Sequence, residues 1–308
     1  MATLNRNNLT FKIAVFALSI IVADQLIGQA LRRSYFSMKA GENYRTTYTI
    51  DSTRAEIIIF GSSRANHHYV PDIFEKNLKM SCYNAGRDGN YLIYNFATFK
   101  AVTHRYKPRT IIFDINLQEI IKNKSEYEKL SNLLPYYKDH PELRSIIDLK
   151  STWEKYKLIS EIYPFNSQIL RILFRNVIQL KSSENESKVY LPLFNKLKTN
   201  IVTYPADESI GVIDSFKIKS IKEIAKICKG YHMNLMFLSS PIFSGSIDST
   251  SAKILKELAK NENFTYIDFS NDNRFCHQNE LFQDNVHLND CGAQKYSSII
   301  CDKLISIK

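Results

Sequence analysis

Short β-rich runs alternating with longer stretches of helical spacing constrain this chain more than any other feature. The runs lie at residues 56–60 (EIIIF), 81–84 (SCYN), 110–115 (TIIFDI), 234–238 (NLMFL) and 265–269 (TYIDF). Between and after them, segments near 71–79, 91–106, 214–229, 251–261 and 292–305 place apolar residues three or four apart. Strand and helix in alternation predict an α/β fold: a doubly wound parallel sheet of about five strands with helices packed on it. The 308 residues allow two domains or one large α/β domain carrying an insertion, and 44% hydrophobic with 23% charged residues is the composition of a globular chain.

Two stretches fall outside that rhythm. The first, residues 13–23 (IAVFALSIIVA), follows Arg6 and Lys12 and is resumed after Asp24 and Gln25 by Leu26, Ile27, Ala30 and Leu31. A helix from about residue 9 to 31 reaches the ~20 residues needed to cross a hydrocarbon core. No small-residue cleavage site follows the run, which favours an uncleaved signal anchor over a removed signal peptide, with a buried amphipathic helix as the plainer alternative. Residues 1–37 are therefore expected to form an N-terminal membrane helix in contact with lipid, and 38–308 the α/β domain. Arg32, Arg33 and Lys39 roughly balance Arg6 and Lys12, so charge leaves orientation open. The second stretch, about 120–209, is rich in Lys, Glu, Asn, Tyr and Leu without a βαβ repeat, and is expected to be a mostly helical insertion that caps the site or docks a partner.

Lys and Arg exceed Asp and Glu by 41 − 31, a net charge of +10, which suits a polyanion binder or a membrane-surface protein equally. The basic residues are dispersed, however. One of the denser runs sets Lys219, Lys222, Lys226 and Lys229 on the polar face of an amphipathic helix, as a solvated face requires. A nucleic-acid role is not expected. The five cysteines form no CxxC and no ligand-like spacing with histidine, so no metal site is expected. They read as buried free thiols, with a Cys276–Cys291 pairing open if the domain is exported.

In open α/β sheets ligands bind beyond the carboxyl ends of the strands. Those ends carry Gly61-Ser62-Ser63-Arg64, then Asn84 to Asn90, Asp114-Ile115-Asn116 and Ser239-Ser240-Pro241, while Asp284-Asn285-Val286-His287 precedes the last helix. A serine hydroxyl needs a base to take its proton, and the base needs a third group to fix its tautomer. Ser63, His287 and Asp284 supply that set. The oxyanion of acyl transfer needs donors fixed in advance, for which the backbone N–H groups of Ser63 and Gly89 and the Asn116 amide are candidates. Arg64, Arg87 and Asp88 are candidate substrate contacts, with pairing to a carboxylate as the plainer alternative for Arg64. His67 and His68 either line the pocket or begin a surface helix.

These motifs, in this order, resemble the SGNH (GDSL-type) hydrolase superfamily, especially its membrane-anchored bacterial members. Ile58 to Arg64 resembles the first block, with Ser63 at the nucleophile's place. Asn84 to Gly89 resembles the second, with Gly89 at the oxyanion glycine, Asp114-Ile115-Asn116 the third, and Asp284 to His287 the final Asp-x-x-His. The resemblance covers roughly residues 54–117 and 213–304. Two residues depart from it: Ser62 stands for the family's Asp, and Asp114 for the third block's Gly. A carboxylate at the latter place would oppose the charge an oxyanion hole must stabilise. The resemblance implies a flavodoxin-like SGNH sheet and an extracytoplasmic, single-pass serine esterase or O-acyltransferase. Its substrate would be an acyl ester, such as an acetyl ester, of cell-envelope carbohydrate, and it needs no cofactor. A non-catalytic SGNH-fold protein that docks a membrane acyltransferase is the alternative. An α/β-hydrolase elbow fits less well, because Ala65 replaces its second glycine.

Overall fold

The computed structural model describes residues 2–174, 189–198, 211–245 and 250–306. They belong to two compact units, Met1–Tyr44 with Leu130–Ser182 and Arg45–Lys129 with Ser183–Lys308. In chain order the principal elements are α1 (Ala2–Phe36), β1 (Ile57–Phe60), α2 (Ser63–His68), α3 (Pro71–Leu78), β2 (Cys82–Asn84), α4 (Leu92–Arg105) and β3 (Thr110–Asp114). There follow α5 (Ser215–Gly230), β4 (Asn234–Ser239), α6 (Thr250–Glu262), β5 (Thr265–Asp268) and α7 (Asp290–Ser306).

The larger unit holds the expected α/β fold. Its five strands pair in parallel in the order β2-β1-β3-β4-β5. That is the doubly wound order of flavodoxin-like sheets, whose direction of winding switches between β1 and β3. The inner strands read as unbroken apolar runs because helices cover both faces of a parallel sheet. Alternation still sorts their side chains. Phe60, Phe113 and Phe237 are in register and stack at 5.0 Å spacings on one face, with Phe99 of α4 packed edge-on. Ile59, Ile112 and Met236, one residue back, join the opposite core with Phe269, Tyr296 and Ile300. Local signals agree with these packing demands. Pro71 opens α3 at its first turn, and Asp214 caps α5 by accepting from the Phe216 and Lys217 amides at 2.9 and 3.3 Å. On α5, Lys219, Lys222, Lys226 and Lys229 are exposed as expected, whereas Lys217 is buried against Glu126 at 2.7 Å.

In the smaller unit, α1 is followed by 130–174 as a series of short α and 3-10 turns, among them Pro141–Ile147, Glu154–Lys157, Tyr163–Gln168 and Ile169–Leu173. Tyr35, Tyr136 and Phe165 are the centre of its core, their rings 5.7 to 6.1 Å apart. Residues 9–36 of α1, with a mean hydropathy of 1.8 in their most apolar window, are long and apolar enough to cross a membrane. The interval expected to be one insertion is thus shared: 130–174 belongs with α1, and 189–198 with the sheet unit. Residues 175–188 and 199–209 of that expected insertion lie outside the described residues.

Candidate active site

The chain leaves β1 through Gly61, whose φ is +154° and whose missing side chain matters: a Cβ there would sit 2.7 Å from Ala65 Cβ and 2.8 Å from the Asp114 carbonyl oxygen. This close turn sets Ser63 at the first residue of α2, beyond the carboxyl ends of β1 and β3 where the winding switches. The loop before α7 reaches the same point. Ser63 Oγ lies 2.8 Å from His287 Nε2, and His287 Nδ1 lies 2.8 and 3.1 Å from the two oxygens of Asp284. Asp284 Oδ1 also accepts the backbone N–H groups of Val286 and His287, each at 2.9 Å. Burial works to raise the Asp284 pKa, but the His287 bond and those amides outweigh it and hold the carboxyl below its ordinary 3.8. It therefore stays ionised wherever the imidazole needs a counter-charge.

Both remaining histidines of α2 have defined partners. His68 is fully buried, and its Nε2 accepts the Leu288 amide at 3.0 Å, which ties the residue after His287 to the nucleophile's helix. Burial, with His287 and Arg64 adding to it, pushes its pKa well below 6.5, so it is a neutral support. His67 faces an acceptor at each ring nitrogen, the Leu191 carbonyl at 2.6 Å from Nδ1 and the Asp88 carboxylate at 3.3 Å from Nε2. Only the imidazolium donates to both. Burial opposes that charge, but the Asp88 and Leu191 bonds prevail and raise the pKa above 6.5. The His67 ring centre stands 5.7 Å from that of His287.

Residues 189–198 act as a strap over these parts. Leu191 N–H donates to the Asn66 carbonyl, Asn195 N–H to Gln283 Oε1, Leu197 N–H to the Phe282 carbonyl, and Asp290 N–H to the Leu193 carbonyl, at 2.7 to 3.2 Å. The strap thus spans from α2 to both sides of the Asp284–His287 loop. Beneath it, Asn84 is fully buried, donating to the carbonyls of Ala65 and Tyr69 at 2.7 and 3.0 Å and accepting the Gly86 amide at 2.9 Å. It closes the end of α2 that a capping residue would otherwise serve.

Three sequence expectations change here. Arg64, expected near substrate, is 3% exposed and lies 3.0 Å from Asp114. Arg87, 4% exposed, donates to Thr46 Oγ1 at 2.5 Å and stacks over Tyr94. Both are buried within the fold. Asp114, expected to oppose an oxyanion, is also buried; it is neutralised by Arg64 and accepts from Tyr69 OH at 2.7 Å and from Ser240. Asp88 is more open, but its oxygens are engaged by Asn66 and His67. Gly89 turns the chain at φ +65° after Asp88, a conformation a glycine adopts without strain. Asn116 caps the turn Leu117–Ile120: its Oδ1 accepts the Gln118 amide at 3.2 Å.

The Asn116 amide donates to Glu119, which is 3% exposed. Burial, helped by Glu126 and opposed by that amide, pushes the Glu119 carboxyl up to about 8. The folded chain then keeps a proton that the unfolded chain releases, so stability falls as pH rises from 4.5 to about 8. Glu119→Gln keeps an acceptor for Asn116 and is expected to flatten that slope, leaving the variant more stable than wild type at the alkaline end. Urea midpoints at both ends of the window test this; parallel slopes for the two proteins refute it.

A cavity of about 570 Å³ opens at the other end of the sheet, where Thr110, Asn234 and Thr265 begin their strands. Its Cys228 thiol is pushed up to about 12 by burial and is no nucleophile. All five cysteines are free, Cys291 exposed and Cys276 half-buried, so the pairing left open for those two is not formed. Among the described residues no cluster of His, Cys, Asp and Glu is arranged to hold a metal ion.

No family model matches the chain, and no curated protein is similar to it. Among solved structures it is similar to the crystal structure of an acetyl xylan esterase, AlAXEase, with a TM-score of 0.41 and 12% identity over 82% of this chain and 98% of that one. It is also similar to LAE5, an alpha/beta hydrolase enzyme from the metagenome of Lake Arreo, Spain, with a TM-score of 0.41 and 9% identity over 81% of this chain and 94% of that one.

Proposed function

We propose that the chain is a membrane-anchored serine esterase or O-acyltransferase of the SGNH type, acting on acyl esters of cell-envelope carbohydrate. The observation that carries the reading is the continuous line from Ser63 Oγ through His287 to Asp284, with 2.8 Å at each link. The substrate class rests on the motif resemblance. Ser63 attacks the acyl carbon while its proton passes to His287 Nε2, and Asp284 holds the imidazolium. The oxyanion is met by the Ser63 and Gly89 N–H groups with Asn116 Nδ2. On collapse the alcohol leaves with the proton from His287. Water or a sugar hydroxyl then gives its proton to His287 and attacks the acyl-serine, returning the free serine. Apolar residues 9–27 of α1 anchor the protein, with the sheet unit on the extracytoplasmic side.

A non-catalytic role docking a membrane acyltransferase predicts separated Ser63 and His287 side chains and an Asp114 that fills the oxyanion position. Neither arrangement is observed. Labelling of the detergent-solubilised protein with a fluorophosphonate tests the reading: wild type is expected to label, and Ser63→Ala and His287→Ala are not. Folded wild type that stays unlabelled overturns it. A reporter fused after Lys308 that is active only in the cytoplasm overturns the orientation.

A further inference from the structure

The helix α1 carries two kinds of surface. From Leu9 to Ile27 its large apolar side chains are exposed, Phe11 at 68%, Phe16 at 67% and Leu26 at 65%. At a rise of 1.5 Å per residue these nineteen residues extend about 28 Å, close to the ~30 Å of a hydrocarbon core. Further along, the same helix is clasped by polypeptide of its own unit. Arg32 pairs with Asp139, and Tyr35 and Phe36 pack on Tyr136. The clasp starts before the apolar run has ended. Asp24 accepts from Ser160 Oγ at 2.6 Å and from the Glu161 amide at 2.8 Å. One turn on, a Cβ at Gly28 would lie 2.2 Å from Glu161 Cβ, so the two backbones touch.

Asp24 therefore lies about one turn inside the end of the exposed apolar stretch, and whatever is bonded to it lies at the same depth. A carboxylate there needs its hydrogen bonds supplied by protein, and Ser160 and Glu161 supply them. The residues just before Ser160 are otherwise unexplained. Trp153, Tyr156 and Ile159, three residues apart, are 65%, 54% and 75% exposed, and the two rings pair at 5.7 Å. Lys155 reaches over the Tyr156 ring, and Lys157 lies beside it in sequence. Aromatic rings with a wet edge, an aliphatic neighbour and lysines that extend to headgroups are the chemistry of a bilayer interface.

We infer that the turn around Glu154–Lys157 is an interfacial foot: Trp153, Tyr156 and Ile159 enter the headgroup layer of the membrane where α1 leaves it. The inference rests on α1 being a membrane anchor. The occupant of this face is lipid, because Asp24 ties the segment to a helix whose own exposed surface is apolar at that level.

The chain has one tryptophan, Trp153, so its intrinsic fluorescence reports this site in the unaltered protein. Full-length protein is reconstituted into phosphatidylcholine vesicles and recovered by flotation. Trp153 emission is expected to be blue-shifted relative to the denatured chain, shielded from acrylamide, and largely lost when the lipid carries bromine near the headgroup. Bromine at the chain ends is expected to quench less. Tyr156→Asp with Ile159→Asp is expected to float as before and to lose most of the bromolipid quenching. Protein that floats while Trp153 stays open to acrylamide and blind to bromolipid overturns the foot but not the anchor. Protein that does not float overturns the anchor, and the foot with it.

Discussion

Ser63→Ala is expected to lower the turnover of a chromogenic acyl ester by about 10⁶-fold, the scale on which removal of a triad nucleophile acts. His287→Ala should fall by about as much, and the double variant no further, since the two groups act in one proton transfer. Asp284→Asn should fall less, by about 10⁴-fold, because the imidazole remains but loses its orienting charge. That last variant carries a second effect specific to this loop. Asp284 Oδ1 also accepts the amides of Val286 and His287, so an asparagine that turns its nitrogen inwards must break the turn that presents the base. Kinetics on the purified full-length chain in detergent decide the matter. Retention of more than a hundredth of the activity in Ser63→Ala would place the chemistry elsewhere.

Asp114→Ala is expected to cost about 3–5 kcal/mol of unfolding free energy, the scale for a buried charge left without its partner. Arg64 is deep in the sheet unit. Burial alone disfavours its charge, and Asp114 more than compensates. Arg64→Ala should cost a similar amount, and Arg64→Met with Asp114→Leu should recover much of the loss, because an apolar pair leaves no charge stranded. Urea unfolding of the four proteins measures these differences. Single variants within about 1 kcal/mol of wild type, as for an exposed pair, would refute it. A loss of activity in the same variants is expected to follow stability, since Asp114 also holds Tyr69 and Ser240 around the floor of the site.

The strands were legible because a buried parallel sheet writes itself as apolar runs, and each expected run lies within a residue or two of the observed one. The ends of those runs were legible as well, since Gly61, Asn84 and Asp114 break the pattern where the chain turns. What was illegible is pairing between distant residues of like appearance. Arg64 follows Ser63 and carries a charge, so it reads as a substrate contact or as half of an ion pair; only the fold names Asp114 as its partner. His67 and His68 are adjacent and identical in the sequence, yet one faces an acceptor at each ring nitrogen and the other accepts from a backbone amide, according to which acceptors or donors the strap and the His287 loop present. The turns within 130–174 are mostly single turns too short to show a period, and their attachment to α1 depends on hydrogen bonds such as Ser160 to Asp24 that no local pattern announces.

His287 follows Ser63 by 224 residues. During synthesis, when segments fold in the order they emerge, α2 is therefore complete long before the loop that carries His287 exists. Throughout that interval Ser63 is an ordinary alcohol. On the proposed mechanism the nascent chain is chemically silent, and a product truncated anywhere before His287 is silent as well. On that reading, reactivity arrives only with a chain long enough to bring His287 back to Ser63.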